Sequence, residues 1–285
     1  MLYGLERNKL VIKKFFSISI WKDSLSVAVA LIAAIETILA ICDFGVKDFY
    51  DIKSWWVKLI IILTTFLTIW LITAVLKYAT TYKSITININ NTPITIKQGD
   101  LFSSNDWKVI PFNEYFDTQV DDIVIAHNSL NGILIDHHID NLQDLQFTLN
   151  NPPNVQKLPH KIKGGRICHP LGRIIKYGEF MILAFTHFDN NNQATLTHNQ
   201  YESCLRTMWN EISRTYANKP VSLPLLGGGI TRFENPSIKT ETQLLKCLLC
   251  TFRTSNATIN QPITIYLTQD AIRNIDLYSI KKQFK

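Results

Sequence analysis

Three consecutive glycines, Gly227, Gly228 and Gly229, are the residues whose type and spacing most directly suggest chemistry. They follow a short apolar run ending at Leu225 that reads as a buried strand. Glycine loses the most conformational freedom on folding, so such a run needs a reason, such as a positive φ or a close approach. Bare main-chain amides can hold a phosphate group in a concave site. A tight turn is the alternative.

A second motif, Gly99-Asp-Leu-Phe102, follows a predicted strand over residues 94–96. The carboxylate of Asp100 can accept hydrogen bonds from an exocyclic amine while the amide of Leu101 meets a ring nitrogen. This is one way to hold an adenine edge. The motif carries weight only together with residues 223–233, which lie far along the same predicted α/β domain.

The five cysteines form an odd set without regular spacing, which argues against a disulfide framework and for a reducing compartment. Cys247 and Cys250 match CxxC, but they lie within an apolar helical pattern that has no second pair and no nearby histidine. We expect core cysteines there rather than a zinc site. No metal site is predicted.

The net charge is +6 and the pI is about 9.0. Part of the excess is local, because five basic residues precede the first long apolar run. The rest of the chain has no basic stretch with interleaved aromatic residues. We therefore expect no nucleic-acid partner.

Two long apolar runs, residues 24–42 and 57–76, each approach the ~20 residues with which a helix crosses a bilayer. Trp21 precedes the first run, and Trp55 and Trp56 precede the second, as in an interfacial aromatic belt. The pattern predicts a helical hairpin with a loop over residues 43–54. Glu36 lies within the first run; either it is protonated or reaches the nearer surface, or it lines a path between helices.

Basic residues set the predicted orientation of the hairpin. They are concentrated before the first run and after the second, at Lys77 and Lys83, whereas the loop balances its two lysines with three aspartates. This asymmetry predicts a multi-pass protein of the bacterial inner membrane with the N-terminus and the large C-terminal domain in the cytoplasm.

After residue 83 predicted strands alternate with helices, which indicates a mostly parallel sheet covered on both faces. The predicted strands include residues 85–90, 94–96, 109–110, 123–126 and 180–185, and runs ending at Leu225 and Leu267. Amphipathic helices are predicted over residues 199–217 and after a capping box at Thr240. Ligands of such sheets bind at the carboxyl ends of strands, where the three glycines lie.

Residues 99–102, 109–117 and 223–233 resemble the corresponding parts of a macro domain, the module that recognises ADP-ribose. With residues 128–132 and 183–189 and the two apolar runs, the chain is similar over nearly its full length to the membrane-anchored macro-domain effectors of type II Thoeris antiphage systems. The resemblance implies an α/β fold: a two-helix transmembrane hairpin followed by a macro domain, three layers α/β/α around a mixed sheet. The implied ranges are a cytoplasmic segment 1–20, the hairpin 21–83 and a divergent macro domain 84–285.

The resemblance also implies a receptor without catalysis and without a cofactor. Its signal would be histidine-ADP-ribose, made from NAD by a TIR-domain partner enzyme. Binding would assemble a homo-oligomer in the membrane lipid, through small residues such as Ala28, Ala30, Ala33 and Ala34. The membrane would then be disrupted. A membrane-tethered ADP-ribosyl hydrolase and a plain anchored scaffold are the alternatives.

Site residues follow from the same resemblance. Asp100 and Leu101 would meet adenine, and Phe233 and Asn113 would lie near the distal ribose. The diphosphate would be wrapped by the backbone of Leu226, Gly227, Gly228, Gly229 and Ile230. A facing loop would contain Ser129, Asn131 and Gly132.

One departure from the family pattern concerns that facing loop, in which only Gly132 remains of the usual glycines. The change suggests a reshaped distal pocket that accommodates an additional group and does not favour hydrolysis. Glu114, Asp117 and His137 would meet this group through charge-assisted hydrogen bonds. Alternatively, Glu114 and Asp117 are surface or capping residues.

Overall fold

The computed structural model describes residues 14–42, 54–151, 161–163, 166–189, 193–229, 231–234 and 240–285. The chain divides into two compact units. The helical unit comprises Met1–Ile85 and Asp276–Gln283, and the α/β unit comprises Thr86–Ile275 and Phe284–Lys285. The predicted domain 84–285 therefore includes a short segment that the structure groups with the long helices.

Two long helices, α1 (Ile18–Cys42) and α2 (Trp55–Thr81), dominate the helical unit. Their apolar stretches, Ile18–Leu39 and Trp55–Thr81, are by length and composition long and apolar enough to cross a membrane. The predicted loop lies almost entirely outside the described residues.

The two helices contact each other through the first half of α1 and the second half of α2. The indole N–H of Trp70 donates to the carbonyl oxygen of Trp21 at 3.2 Å, and the rings of these tryptophans pack edge to face. The Thr73 hydroxyl donates to the carbonyl oxygen of Ser24 at 3.3 Å. These contacts define one end of the hairpin.

The position of Ala28 differs from the expectation that four alanines of α1 form an assembly surface. Ala28 is fully buried and lies on α1 one turn beyond Ser24, within the stretch that packs against α2. Ala30, Ala33 and Ala34 are exposed, as is Glu36. The structure thus leaves three of the four alanines on the outer surface of α1.

A mixed sheet forms the centre of the α/β unit. The strands are β1 (Ser84–Ile89), β2 (Thr92–Gln98), β3 (Trp107–Asn113), β4 (Lys161–Lys163), β5 (Arg166–Cys168), β6 (Ile174–Tyr177), β7 (Phe180–Phe188), β8 (Ala194–Thr197), β9 (Val221–Pro224), β10 (Arg232–Glu234) and β11 (Ile263–Leu267). The main sheet has the order β1-β2-β11-β9-β3-β7-β8-β10, with β6 beside β7, and β4 pairs with β5 separately.

The central strands run parallel, which decides where a ligand edge can form. β2, β11, β9, β3 and β7 are joined by parallel pairs, while β6 and β8 each pair with β7 antiparallel. The carboxyl ends of β2, β9, β3 and β7 therefore lie along one edge of the sheet, in that order.

Helices cover both faces of this sheet. They are α3 (Leu130–His137), α4 (Leu142–Asn150), α5 (His198–Thr215), α6 (Glu241–Arg253) and α7 (Gln269–Asn274). Ile110 and Ile182 of β3 and β7 pack with Leu134 and Leu145 of α3 and α4 in one buried cluster. Since successive strand residues point to opposite faces, the intervening residues face α5, as Phe185 does when it packs against Tyr201. The expected three layers are confirmed.

Local sequence signals account for the helix starts. The capping box predicted at Thr240 forms: its hydroxyl accepts from the Gln243 amide, and the Gln243 side chain accepts from the Thr240 amide. Within α6, burial raises the pKa of the Cys247 thiol to about 12. Cys247 is therefore a protonated packing residue, and among the described residues no metal-binding cluster occurs.

The last helix, α8 (Leu277–Gln283), belongs to the helical unit, where it contacts α1 and α2. The sequence pattern did not indicate this separation, because α8 is short and its neighbours on both sides fold into the α/β unit.

Two local predictions differ from the structure. The first is the turn that the predicted strands 85–90 and 94–96 leave at residues 91–93. The turn between β1 and β2 is formed by Asn90 and Asn91, both with positive φ as a two-residue hairpin loop requires, so that Pro93 lies within β2. The second is the strand predicted over residues 123–126, which does not form. Ile123 is 73% exposed, and only an isolated bridge between Val120 and Ile125 remains.

Candidate functional site

The three glycines form a turn directly after β9, at the carboxyl edge of the sheet. Among the described residues, the main-chain N–H groups of Gly227 and Gly229 donate no hydrogen bond, and that of Gly228 reaches the carbonyl oxygen of Leu225 at 3.3 Å. Gly229 has open space where a side chain would be. The turn thus presents bare amides, the donors that suit a phosphate oxygen.

Gly227 shows why this turn needs glycine. Its φ is +82°, and a Cβ atom there would lie 3.0 Å from the ring of Phe233 and 3.2 Å from Leu244. Phe233, on β10, packs edge to face on the ring of Tyr201. The Tyr201 hydroxyl in turn donates to the carbonyl oxygen of Leu226 at 2.9 Å. The rings of Phe233 and Tyr201 therefore hold the turn in place. Ile230, the last residue expected to contact the diphosphate, lies outside the described residues.

Asp100 and Leu101 follow β2 at the same edge. Asp100 is exposed and caps the short 3-10 helix Leu101–Ser103, its carboxylate accepting from the Phe102 amide at 3.0 Å. The Leu101 side chain is buried in the core. The second carboxylate oxygen of Asp100 is available to a ligand donor.

A tight polar turn follows β3. The side-chain oxygen of Asn113 accepts from the amides of Tyr115 and Asp117, and its side-chain nitrogen donates to the Asp117 carboxylate at 2.8 Å. Phe116 within this turn has a positive φ of 53°. Asn113 is 3% exposed, so its main observed role is to shape the turn.

Glu114 is buried at the next position and binds residues that the sequence interpretation did not single out. One carboxylate oxygen lies 2.5 Å from Nδ1 of His187 and 2.7 Å from Sγ of Cys168. The Glu114 side chain is 2% exposed and that of His187 is 33% exposed. The reading of Glu114 as a surface residue is therefore wrong, because the carboxylate orients a half-buried imidazole.

Asp117 forms an ion pair with Arg166, whose guanidinium lies over the ring of Tyr115 at 4.2 Å from the centroid. Burial, and then the nearby Glu114 carboxylate, raise the pKa of Tyr115. A cavity of about 310 Å³ opens beside this pair. It is lined by polar residues of the β3 turn and β5 region and by the exposed side of α4, including Gln146 and Asn150.

The predicted facing loop caps α3. The Ser129 hydroxyl accepts from the Gly132 amide at 3.0 Å and donates to the carbonyl oxygen of Ala126 at 2.7 Å. Asn131 is 8% exposed, and its side-chain oxygen is buried without a hydrogen-bond partner among the described residues. A Cβ atom on Gly132 would lie 2.3 Å from the Ala126 oxygen, so only glycine fits.

Among the described residues, His137 forms no hydrogen bond or ion pair with Glu114 or Asp117, the other residues expected to meet an additional group. It is exposed in the last turn of α3, whereas Ser129 and Gly132 lie at the first turn, about 10 Å away along the helix axis. His187, Cys168 and Arg166 contact Glu114 and Asp117 instead. The position of His187 at the end of a buried strand was the available signal for it.

Comparison with known proteins identifies the family of the α/β unit. A family model for the macro domain of Thoeris protein ThsA matches residues 94–268. Thoeris protein ThsA of Bacillus amyloliquefaciens (strain Y2) is 38% identical over 210 residues, which cover 70% of this chain and 70% of that protein.

Solved macrodomain structures of Oceanobacillus iheyensis are also similar. A point mutant aligns with a TM-score of 0.45 and 14% identity, covering 70% of this chain and 96% of that chain. The same macrodomain with ADP aligns with a TM-score of 0.46 and 15% identity, covering 70% and 95%. On the family match over more than half of the sequence and the 38% identity, this chain belongs to the Thoeris ThsA macro-domain family.

Proposed function

We propose that the protein is a membrane-anchored receptor whose macro domain binds an ADP-ribose-derived signal. The observation that carries the proposal is the glycine turn at the carboxyl ends of parallel strands, in which the amides of Gly227 and Gly229 have no acceptor among the described residues. Such amides bind a diphosphate without a charged side chain.

The order of residues along the sheet edge supports this ligand. Asp100 follows β2, the glycine turn follows β9, and Asn113 and His187 lie at the ends of β3 and β7. Neighbouring strands are about 4.8 Å apart, so the edge from β2 to β7 spans roughly 19 Å. An extended nucleotide would place adenine near Asp100, the diphosphate on the glycine turn and the distal ribose above β3.

The cavity beside Asp117 and Arg166 is the proposed place for a group attached to the distal ribose. An amino-acid substituent carries one ammonium and one carboxylate, and this pair supplies the complementary charges. His187, oriented by Glu114, offers its second ring nitrogen as a further partner. Histidine-ADP-ribose, made by a TIR-domain partner from NAD, is therefore our proposed signal.

The two long apolar helices are the proposed effector part. Their length and hydropathy suit a hairpin in the bacterial inner membrane, with the macro domain on the cytoplasmic side. One hairpin is too small to enclose a pore, so ligand binding would favour a homo-oligomer that disrupts the membrane.

Binding without hydrolysis agrees better with the side chains present. Hydrolysis needs a base that can activate a water near the distal ribose. The Asn113 side chain is committed to its own turn, and one Glu114 oxygen already binds both His187 and Cys168. These groups therefore suit the role of a rigid wall for a bound ligand.

The decisive test uses the full chain in detergent and in dye-filled vesicles. Calorimetric titration should show binding of histidine-ADP-ribose, tighter than that of ADP-ribose, and the same ligand should release the dye. Mass spectrometry should recover the ligand intact. An absence of binding would reject the receptor, and released ADP-ribose would show a hydrolase instead.

Replacing Arg166 tests the proposed cavity. Arg166→Met should weaken histidine-ADP-ribose binding by roughly 10- to 100-fold, since it removes one charge-assisted hydrogen bond worth ~1.5–3 kcal/mol. The affinity for ADP-ribose should change less than about twofold, because ADP-ribose lacks the additional group. Arg214→Met is the matched control, since Arg214 also pairs with an acidic residue but lies on α5. Equal losses for both nucleotides would place the additional group elsewhere.

A further inference from the structure

Helix α8 is bound to the N-terminal part of α1 by a hydrogen bond and an ion pair that share one carboxylate. The carboxylate of Asp23 accepts from the Tyr278 hydroxyl at 2.9 Å through one oxygen and from the Lys282 ammonium at 2.7 Å through the other. Burial, followed by the hydrogen bond to Asp23, raises the pKa of Tyr278 to about 12. The phenol therefore remains a donor throughout the physiological pH range.

A second set of contacts joins the start of α8 to the residues before the first apolar run. The Ser17 hydroxyl donates to the Asp276 carboxylate at 2.6 Å. The Ser279 hydroxyl donates to the same carboxylate oxygen at 2.7 Å and lies 3.2 Å from the hydroxyl of Ser19. Two polar clusters thus hold α8 against the start of α1 and the residue before it.

Apolar packing adds to these polar contacts. Leu277 and Ile280 of α8 are 3% and 0% exposed, and α8 contacts both α1 and α2. A short helix would not hold its position on charges alone, because exposed ion pairs contribute little. The combination with buried apolar residues makes α8 a fixed part of the helical unit.

The chain enters and leaves α8 through residues of the other unit. Ile275 is fully buried and its amide donates to the carbonyl oxygen of Ala271 at 3.1 Å. Phe284 is 4% exposed, with the Arg253 guanidinium of α6 over its ring at 5.4 Å from the centroid. Both covalent ends of α8 are therefore anchored in the α/β unit.

We propose that α8 is a coupling strut: it stays attached to α1 and transmits movements of the macro domain to the membrane hairpin. This inference rests on the proposed function. The chain passes directly from the long helices into the α/β unit once, at residues 85–86 in β1. Helix α8 supplies two further covalent connections, at 275–276 and 283–284. A displacement of the residues that flank α8 would move α8 and, through the bonds of Tyr278 and Lys282, would also move Asp23 of α1.

The first experiment removes both donors to Asp23. In the full chain, Tyr278→Phe with Lys282→Met should leave the dissociation constant of histidine-ADP-ribose within twofold of wild type, while ligand-triggered vesicle leakage falls at least tenfold. Lys281→Met is the matched control, because Lys281 is exposed on the same helix and forms no ion pair among the described residues. Vesicles with this control variant should release as much dye as vesicles with the wild-type protein.

The second experiment asks whether α8 must remain attached. Ser19→Cys with Ser279→Cys places two thiols where the hydroxyl oxygens are 3.2 Å apart, and oxidation would lock α8 onto α1. Vesicles that contain the locked protein should still release dye on ligand addition, and so should vesicles with either single-cysteine control. A locked protein that is silent until reduced would show a releasing latch and overturn the strut.

The remaining outcomes are also decisive. Full leakage by the Tyr278→Phe, Lys282→Met variant, with wild type active, would overturn the strut and leave the receptor intact. Wild-type protein that binds the ligand without leakage would overturn the effector part of the proposed function, and the strut with it.

Discussion

Gly228→Glu is expected to lower the affinity of the full chain for ADP-ribose and for histidine-ADP-ribose by at least roughly 100-fold, or about 2.7 kcal/mol. A Cβ atom at this position would lie 3.3 Å from the carbonyl oxygen of Leu225 and 3.6 Å from its side chain, and the backbone φ is not in the left-handed region. The variant should therefore fold. Its carboxylate would stand where we propose that the phosphates bind, and like charges ~5 Å apart repel by ~3 kcal/mol at an effective dielectric constant of ~20.

Calorimetry measures this loss, and a neutral variant separates charge from bulk. Gly228→Gln has nearly the same size, so it should retain at least about ten times more affinity than Gly228→Glu. Circular dichroism should show unchanged helix and strand content in both. Undiminished affinity in Gly228→Glu would show that the phosphates lie elsewhere, and equal losses would show that volume alone matters.

Gly132→Ala should destabilise the macro domain by about 2–4 kcal/mol. The new methyl group would lie 2.3 Å from the carbonyl oxygen of Ala126 and 3.0 Å from the backbone of His127, neither of which can rotate away. Overpacking of this kind costs ~1–3 kcal/mol. Displacing Gly132 also breaks the hydrogen bond by which the Ser129 hydroxyl caps α3, worth ~1 kcal/mol.

Thermal unfolding of the detergent-purified chain, followed by circular dichroism, tests this prediction. At ~2–4 °C per kcal/mol for a domain of this size, the midpoint should fall by about 5–15 °C. Gly229→Ala is the matched control, since nothing lies within 4 Å of its Cβ position, and its midpoint should match wild type. An unchanged midpoint in Gly132→Ala would mean that the loop before α3 follows another path.

Elements with a local cause were predictable from the sequence. The capping box at Thr240 needs only a hydroxyl and a glutamine three residues later, and both side chains form the predicted bonds. Two long apolar runs predicted the long helices, and alternating strands and helices predicted the layered sheet. The strand wrongly predicted over residues 123–126 marks the limit of this reasoning: Ile123 has the β-branched composition of a strand but finds no partner strand.

The candidate site was only partly predictable. The glycine turn was placed correctly after β9 because three glycines interrupt an apolar run, a purely local pattern. The partners of Glu114 were not. Cys168 is 54 residues away and His187 is 73 residues away. His187 meets Glu114 because β3 and β7 are neighbours in the sheet. Cys168 meets it because the chain after β5 passes beside the turn after β3, where the His169 amide donates to the Glu114 carbonyl oxygen at 2.8 Å. Neither segment alone indicates these pairings.

The sequence by itself determined that this protein has two apolar helices, a three-layer α/β domain and a glycine turn at a strand end, since periodicity, composition and caps act over a few residues. The tertiary structure alone decided that Glu114 is buried against His187, that Arg166 pairs with Asp117, and that α8 joins the helical hairpin. These outcomes depend on which distant segments pack together. That choice is made by the free energy of the whole fold, to which every segment contributes.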